Sequence, residues 1–315
     1  MSRAIVLDTD MASDVDDALC LALALASPEL EIVGITNVGR EASLRARVTR
    51  RLLELASRTE IPVFAGCRVP LLAGDGFNWF GHEGEGILEP GSEPPLQSAH
   101  AVDALLELSR QRPGLWIVAV GPLTNLAVAL AKDPDFASRV GRLTLMGGHL
   151  REVSYRGRVF SHGVDYNLCS DPHASLLVLR SGIPTTLVTA DVTLRTWLRE
   201  ADAVRIERSG TDFHAALARA LRIWTPVQRR LFEPKNAPAE DNAAFLHDPL
   251  TLACVYDERF CEFEELEIEP SIENGVFRTI ERPLSTPATF PMRCATAVDA
   301  ARFREHFVER VLSLV

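Results

Sequence analysis

The chain has 315 residues, 47% hydrophobic and 24% charged, an ordinary balance for a globular protein and ample for a large buried core. Its formal net charge is −10 with the basic residues scattered, which argues against a nucleic-acid partner, since that would want a basic face. No segment reaches the length of a membrane span, no secretory signal follows Met1, and the six dispersed cysteines form no CxxC pair, so a cytoplasmic protein with reduced thiols and no membrane contact is expected.

Ala4-Ile5-Val6-Leu7 reads as a short buried strand, and Ala18 to Ala26, apolar throughout and rich in helix formers, as a buried helix. Between them lies Asp8-Thr9-Asp10-Met11-Ala12-Ser13-Asp14-Val15-Asp16-Asp17, five carboxylates in ten residues. Glu31 to Thr36 is a second strand, Ser43 to Ala56 a helix with Arg and Glu on its outer face, and Ile61 to Phe64 a short third strand. Leu115 to Val120 is a fourth, followed at once by a helix from about Pro122 to Ala131. Strands at Arg142 to Met146 and Pro184 to Val188 flank a helix from Pro172 to about Ser181.

The remainder is more helical. Glu200 to Leu231 reads as two helices broken near Gly210, Asp248 to Tyr256 as another, and Ala297 to Leu314 as the last. Glu262 to Glu269, Gly275 to Glu281 and Thr289 to Cys294 form an antiparallel meander. Strand–helix alternation of this kind implies a mostly parallel, doubly wound, Rossmann-like α/β sheet with helices on both faces, plus a small antiparallel C-terminal piece. No linker composition interrupts it, so residues 1–315 are expected to form a single domain. Ala65 to Ser98 and Gly147 to Ser170 lack a regular pattern, and irregular stretches of that length inside an α/β domain are usually functional.

A strand, an acidic turn and a helix would gather the five carboxylates at a strand's carboxyl end, where open α/β sheets bind ligands. Two like charges about 4 Å apart repel by roughly 4 kcal/mol at an effective dielectric of about 20, whereas a helix amino terminus returns only about 0.3–1 kcal/mol per carboxylate. A hard divalent cation held by oxygen ligands balances that repulsion better than capping by Ser13 or Asp14.

Later motifs sit at comparable positions. Gly121-Pro122-Leu123-Thr124-Asn125 starts a helix where backbone carbonyls can serve as cation ligands, and Met146-Gly147-Gly148 ends a strand with room for close backbone approach. Asp171 before Pro172 reads as a helix cap and no more, while Asp165 and Asn167, two residues apart, could both grip sugar hydroxyls. In His247-Asp248-Pro249-Leu250 a histidine directly precedes a second Asp-Pro helix start.

In this order, across nearly the whole chain, these motifs resemble those of the inosine–uridine-preferring nucleoside hydrolase family, whose HG..GL segment is similar to Gly81-His82-Glu83-Gly84. The resemblance implies a calcium ion held by Asp10, Asp17, Asp248 and the backbone carbonyl of Thr124, with Asp10 also the general base for its water. It implies ribose contacts from Asp16, Asp165 and Asn167, with Met146 and His82 lining the substrate pocket. It assigns Asp8 to support behind the turn, and proton donation to the leaving base to His247, with His82 a second candidate. The implied reaction is hydrolysis of the N-glycosidic bond of a small-molecule ribonucleoside through an oxocarbenium-like transition state, in a salvage enzyme that forms a homodimer or homotetramer.

The chain departs from the family's commoner pattern at several places. Five residues, Met11 to Val15, separate Asp10 from Asp16-Asp17 where three are usual, and Asp14 is an extra carboxylate. Gly39-Arg40-Glu41 and Arg158 occur where Asn is frequent, and Asp165 where Glu is usual. Two other functions compete: a magnesium phosphatase of haloacid-dehalogenase type, which also opens D-x-D but wants Thr or Val where Ala12 stands, and a nucleoside- or ribose-binding protein without turnover. Trp79, Phe80, Tyr155, Trp224 and Phe232 are the aromatic side chains that could stack on a base.

Overall fold

The apolar runs form strands because each is covered on both faces, and their alternation divides the core in two. In β1 (Arg3–Thr9), Ile5 and Leu7 point into one apolar layer and Val6 into the other, all fully buried. The computed structural model describes residues 2–12, 14–72, 82–89, 91–234, 241–283 and 286–314. Ser13, Trp79, Phe80 and Gly81 lie outside the described residues.

After β1 come α1 (Asp16–Leu25), β2 (Leu30–Asn37), α2 (Ala42–Leu55), β3 (Val63–Ala65) and α3 (Ala101–Gln111). There follow β4 (Leu115–Ala119), α4 (Thr124–Lys132), the short α5 (Phe136–Arg139), β5 (Val140–Met146), and the hairpin of β6 (Val153–Tyr155) with β7 (Arg158–Phe160). Next are α6 (Tyr166–Ser170), α7 (Pro172–Leu179), β8 (Thr185–Val188), α8 (Ala190–Thr193), β9 (Trp197–Leu198), α9 (Glu200–Arg208) and α10 (Asp212–Phe232). β10 (Ala244–Phe245), α11 (His247–Ala253), β11 (Cys261–Glu273), β12 (Val276–Arg282), β13 (Phe290–Val298) and α12 (Ala300–Leu312) complete the chain.

The main sheet runs β12-β11-β13-β8-β5-β4-β1-β2-β3. Every pairing from β13 through β3 is parallel, and β11 pairs antiparallel with both β12 and β13. The mostly parallel sheet with helices on both faces and the small antiparallel C-terminal piece are thus as expected. The antiparallel piece extends the same sheet through Arg293 and Cys294 of β13, opposite Thr186 and Leu187 of β8.

Three local readings change. α3 occupies a stretch for which no element was expected, although Val102, Leu105 and Leu106 have helical spacing and His100 Nδ1 caps the helix by accepting from Val102 N at 3.3 Å. The second irregular stretch contains a two-residue hairpin turn, Arg156-Gly157, with both φ values positive (52° and 79°). Ala297 and Val298, expected in the last helix, end β13 instead, and Asp299 caps α12 by accepting from Arg302 N at 3.1 Å.

Candidate active site

The carboxyl ends of β1, β4 and β5 face one cavity of about 460 Å³. Asp10, Asp14, Asp16 and Asp17 enter it from the β1 turn, Val120 and Met146 from the strand ends, Asp165 and Asn167 from the start of α6, and His247 and Asp248 from α11. Eight expected site residues therefore meet: Asp10, Asp16, Asp17, Met146, Asp165, Asn167, His247 and Asp248.

The acidic turn is held from behind. Asp8 Oδ1 accepts from Thr36 Oγ1 (2.5 Å) and Asn125 Nδ2 (2.8 Å), and burial pushes its carboxyl up to about 7. Asn125 also accepts from Cys67 N at 2.8 Å, so one amide ties β1, α4 and the chain after β3 together. Arg45, expected on the outer face of α2, is instead 2% exposed and donates to the carbonyls of Asp10 (short) and Met11 (3.0 Å). Its guanidinium also meets Glu83 at 3.4 Å, which brings the segment after Gly81 onto the turn. Ala12 takes up the turn's curvature with φ 73°, a left-handed conformation that L-residues adopt at a cost of about 1–2 kcal/mol. Asp14 Oδ1 accepts from Val15 N (2.5 Å) and Asp16 N (3.2 Å), so the extra carboxylate closes the longer turn onto α1.

At the centre, carboxylate oxygens of Asp16, Asp17 and Asp248, all buried, lie within 4.8 Å of one another. Asp17 also accepts from Thr9 Oγ1, and Asp248 N donates to Asp16 Oδ2 at 3.4 Å. Burial first, and then mutual repulsion with Asp10 beside them, pushes all three carboxyls well above the usual range. Gly121 marks how closely the β4–α4 turn approaches: a Cβ there would stand 2.7 Å from Asp10 Oδ1. Thr124, three residues on, is buried but is not among the described residues lining the cavity.

Asp171 does more than cap α7. Oδ1 accepts from Ala174 N (3.0 Å) as expected, while Oδ2 accepts from Thr124 Oγ1 and from Leu71 N, both at 2.8 Å. Asp165 also has a structural role, because it caps α6 through Leu168 N (3.0 Å), and burial raises its carboxyl to about 6. Asn167 Nδ2 donates to the carbonyls of Val120 (2.8 Å) and Met146 (3.1 Å), which orients the amide at the strand ends.

His247 Nδ1 pairs with Thr193 Oγ1 at 2.6 Å, leaving Nε2 as the ring nitrogen available to a ligand; burial lowers its pKa to about 4. His82 is not among the residues lining the main cavity. It stacks near Trp224 (ring centroids 5.7 Å) beside a small void that Ala12 and Asp14 also line. Of the candidate aromatics, Phe232 lines the cavity together with Phe160, 5.8 Å away between centroids; Tyr155 packs in the core against Trp197 and Phe245, and Trp224 is buried. Arg158 lies at this aromatic side, its guanidinium 4.9 Å from the Phe160 ring and donating to Leu231 O at 2.5 Å. Arg40 and Glu41 are exposed and do not line the cavity. Arg45, Phe160, Thr193 and His149 of this site carried no distinctive sequence motif.

Residues 5–305 match the family model described as inosine-uridine preferring nucleoside hydrolase. The chain is 34% identical over 263 residues to a pyrimidine-specific ribonucleoside hydrolase of Photobacterium profundum, covering 80% of this chain and 79% of the relative. It is 33% identical over 255 residues to an uncharacterised protein of Schizosaccharomyces pombe, covering 79% and 78%. Among solved structures, a purine-preferring ribonucleoside hydrolase from Gardnerella vaginalis superposes with a TM-score of 0.85 at 28% identity over 99% of both chains. A plant nucleoside hydrolase superposes with a TM-score of 0.84 at 25% identity, over 99% of this chain and 100% of that one.

Proposed function

The chain belongs to the inosine-uridine preferring nucleoside hydrolase family and is an N-glycosidase, and on that premise we propose that it hydrolyses ribonucleosides to free base and ribose with a calcium ion beside the Asp16–Asp17–Asp248 cluster, in the cavity that Asp10 also lines. The observation that carries this is the convergence of buried carboxylates from β1 and α11 in one cavity with Asp165, Asn167 and His247. A family of hydrolases sets aside both the phosphatase and the non-catalytic reading.

The donor set fits a hard cation. Its carboxylates are buried, oxygens of Asp16, Asp17 and Asp248 crowd within 4.8 Å of one another, and Thr9 Oγ1 and the Arg45 guanidinium behind the turn offset only part of their charge. Asp10, Asp17, Asp248 and the carbonyl of Thr124 would hold the ion, with the Asp171–Thr124 hydrogen bond fixing the start of α4. When bound, calcium would neutralise the cluster, bind the sugar's vicinal diol and make water more acidic.

The chain's own groups then divide the work. Asp10 takes the proton of the attacking water as it adds to C1′, while the C1′–N bond breaks and its electron pair leaves with the base, which takes up a proton from solvent as Asp10 returns its own. Asp16, Asp165 and Asn167 hold ribose hydroxyls, and the carboxylates stabilise positive charge developing on the sugar. The base would lie against Phe160 and Phe232, toward His247. With its pKa lowered to about 4, His247 is neutral near pH 7, so it assists departure by hydrogen bonding from Nε2–H to the base rather than as a stored imidazolium.

The pyrimidine-specific and purine-preferring relatives point to different bases, so the test is a panel of purine and pyrimidine nucleosides with calcium present, scored for free base and ribose. Release of base from none of them by wild-type protein would overturn the reading. We propose as well a cytoplasmic salvage role and a homodimer or homotetramer, the latter readable by sedimentation. Among the described residues no helix is long and apolar enough to cross a membrane.

A further inference from the structure

His149 lines the cavity and is 3% exposed, yet it belongs to none of the motifs above. Its backbone is pinned on both sides, N donating to Thr279 Oγ1 (3.0 Å) and O accepting from Gly163 N (2.5 Å). The ring is oriented by Nδ1, which lies 3.1 Å from Val164 O. A carbonyl can only accept, so Nδ1 carries the proton and Nε2 of the neutral ring presents a lone pair. Among the described residues that buried Nε2 has no hydrogen-bond partner. An unmet acceptor in a buried ring costs about 1–3 kcal/mol, so a ring held this firmly implies a donor supplied by what fills the cavity.

We propose that His149 is a specificity-determining residue whose Nε2 accepts a hydrogen bond from the 5′-hydroxyl of the bound ribose. This rests on the nucleoside reading above. His149 follows β5, whereas the acidic turn follows β1, and β4 lies between them. Two strand spacings separate the two walls by about 10 Å, enough for a furanose to bridge them. The vicinal diol is the chelating pair and belongs at the carboxylate cluster. The remaining hydroxyl, on C5′, is then directed to the β5 side, where His149 stands beside Asp165 through the Val164 carbonyl.

The test pairs a residue change with a substrate change. Wild type should prefer a nucleoside over its 5′-deoxy analogue by about tenfold in kcat/KM, and His149→Ala should reduce that preference to about one by losing activity on the parent alone. His149→Gln, which restores an acceptor, should recover part of it. Equal loss on both substrates, or loss of discrimination at the 2′ or 3′ position instead, would overturn the proposal. Calorimetric binding of methyl β-D-ribofuranoside against its 5-deoxy form, with calcium, reads the same contact without turnover. If wild type binds both equally, the proposal fails whatever the hydrolysis assay gives. If discrimination is seen and depends on His149 but no nucleoside is cleaved, the proposal stands and the hydrolase reading fails.

Discussion

Removing the cation should make the protein's stability fall as pH rises, the reverse of the usual behaviour of carboxylates paired in a folded protein. Oxygens of Asp16, Asp17 and Asp248 lie within 4.8 Å of one another. At an effective dielectric of about 20, each of the three pairs repels by about 3–4 kcal/mol when fully ionised, so the cluster costs about 10 kcal/mol, comparable to the net stability of a domain. The chelated protein must therefore hold protons. Folded-state pKa values raised above the unfolded value mean that the native state binds more protons, so stability is full near pH 4 and is lost as pH rises through the folded values. For Asp8, raised from 3.8 to about 7, the window is pH 4 to 7 and the loss about 4 kcal/mol. Thermal melts in chelator should show Tm falling steadily between pH 5 and 7, and saturating calcium should remove the part of the slope that comes from the cluster, leaving that of buried Asp8. Calorimetric titration of calcium at pH 6, in buffers of different ionisation enthalpy, should register release of more than one proton. A melt in chelator that is flat or rises with pH, together with no proton release, would refute the electrostatic account of the cluster.

Asp10→Asn should lower kcat by about a hundredfold to ten-thousandfold, and near-normal turnover of a nucleoside panel would remove Asp10 from the role of base. His247→Ala should slow nucleosides with poor leaving groups by a similar factor while sparing a p-nitrophenyl riboside, and wild-type kcat/KM should show no decline on the basic side near pH 6.5, because the ring is already neutral there. Asp171→Ala should cost about 1 kcal/mol as a lost cap and also weaken calcium binding, measured by titration; unchanged affinity would mean that Thr124 is no ligand. Ala12→Gly should raise Tm in chelator-free buffer by about 2 °C, since glycine adopts φ 73° without the penalty of about 1 kcal/mol that alanine carries.

Much of the sheet was readable from local pattern, because a strand buried on both faces must be apolar along its whole length, as Ile5 to Leu7 and Ile117 to Ala119 are. The acidic turn announced a ligand site for an equally local reason: five carboxylates in ten residues cannot remain charged together without a counter-ion. The hairpin at Arg156-Gly157 was hidden in an irregular stretch because each of its strands is only three residues long, too short for a period to show.

What the sequence determined by itself, then, is the order of the longer buried strands and the helices between them, α3 apart, and the residue types crowded after β1, since both follow from periodicity and charge within a few residues. Which partners those residues meet was decided only by the tertiary structure. Arg45 sits on a helix whose charges suggested an outer face, yet it turns inward because the Asp10 and Met11 carbonyls need donors that the turn cannot supply. Asp248 comes 231 residues after Asp17, and it reaches Asp16 and Asp17 because α1 and α11 pack against each other. His149 acquires its role in the same way: the ring's tautomer is set by a carbonyl 15 residues away, and no spacing in the sequence encodes which nitrogen is left facing the substrate.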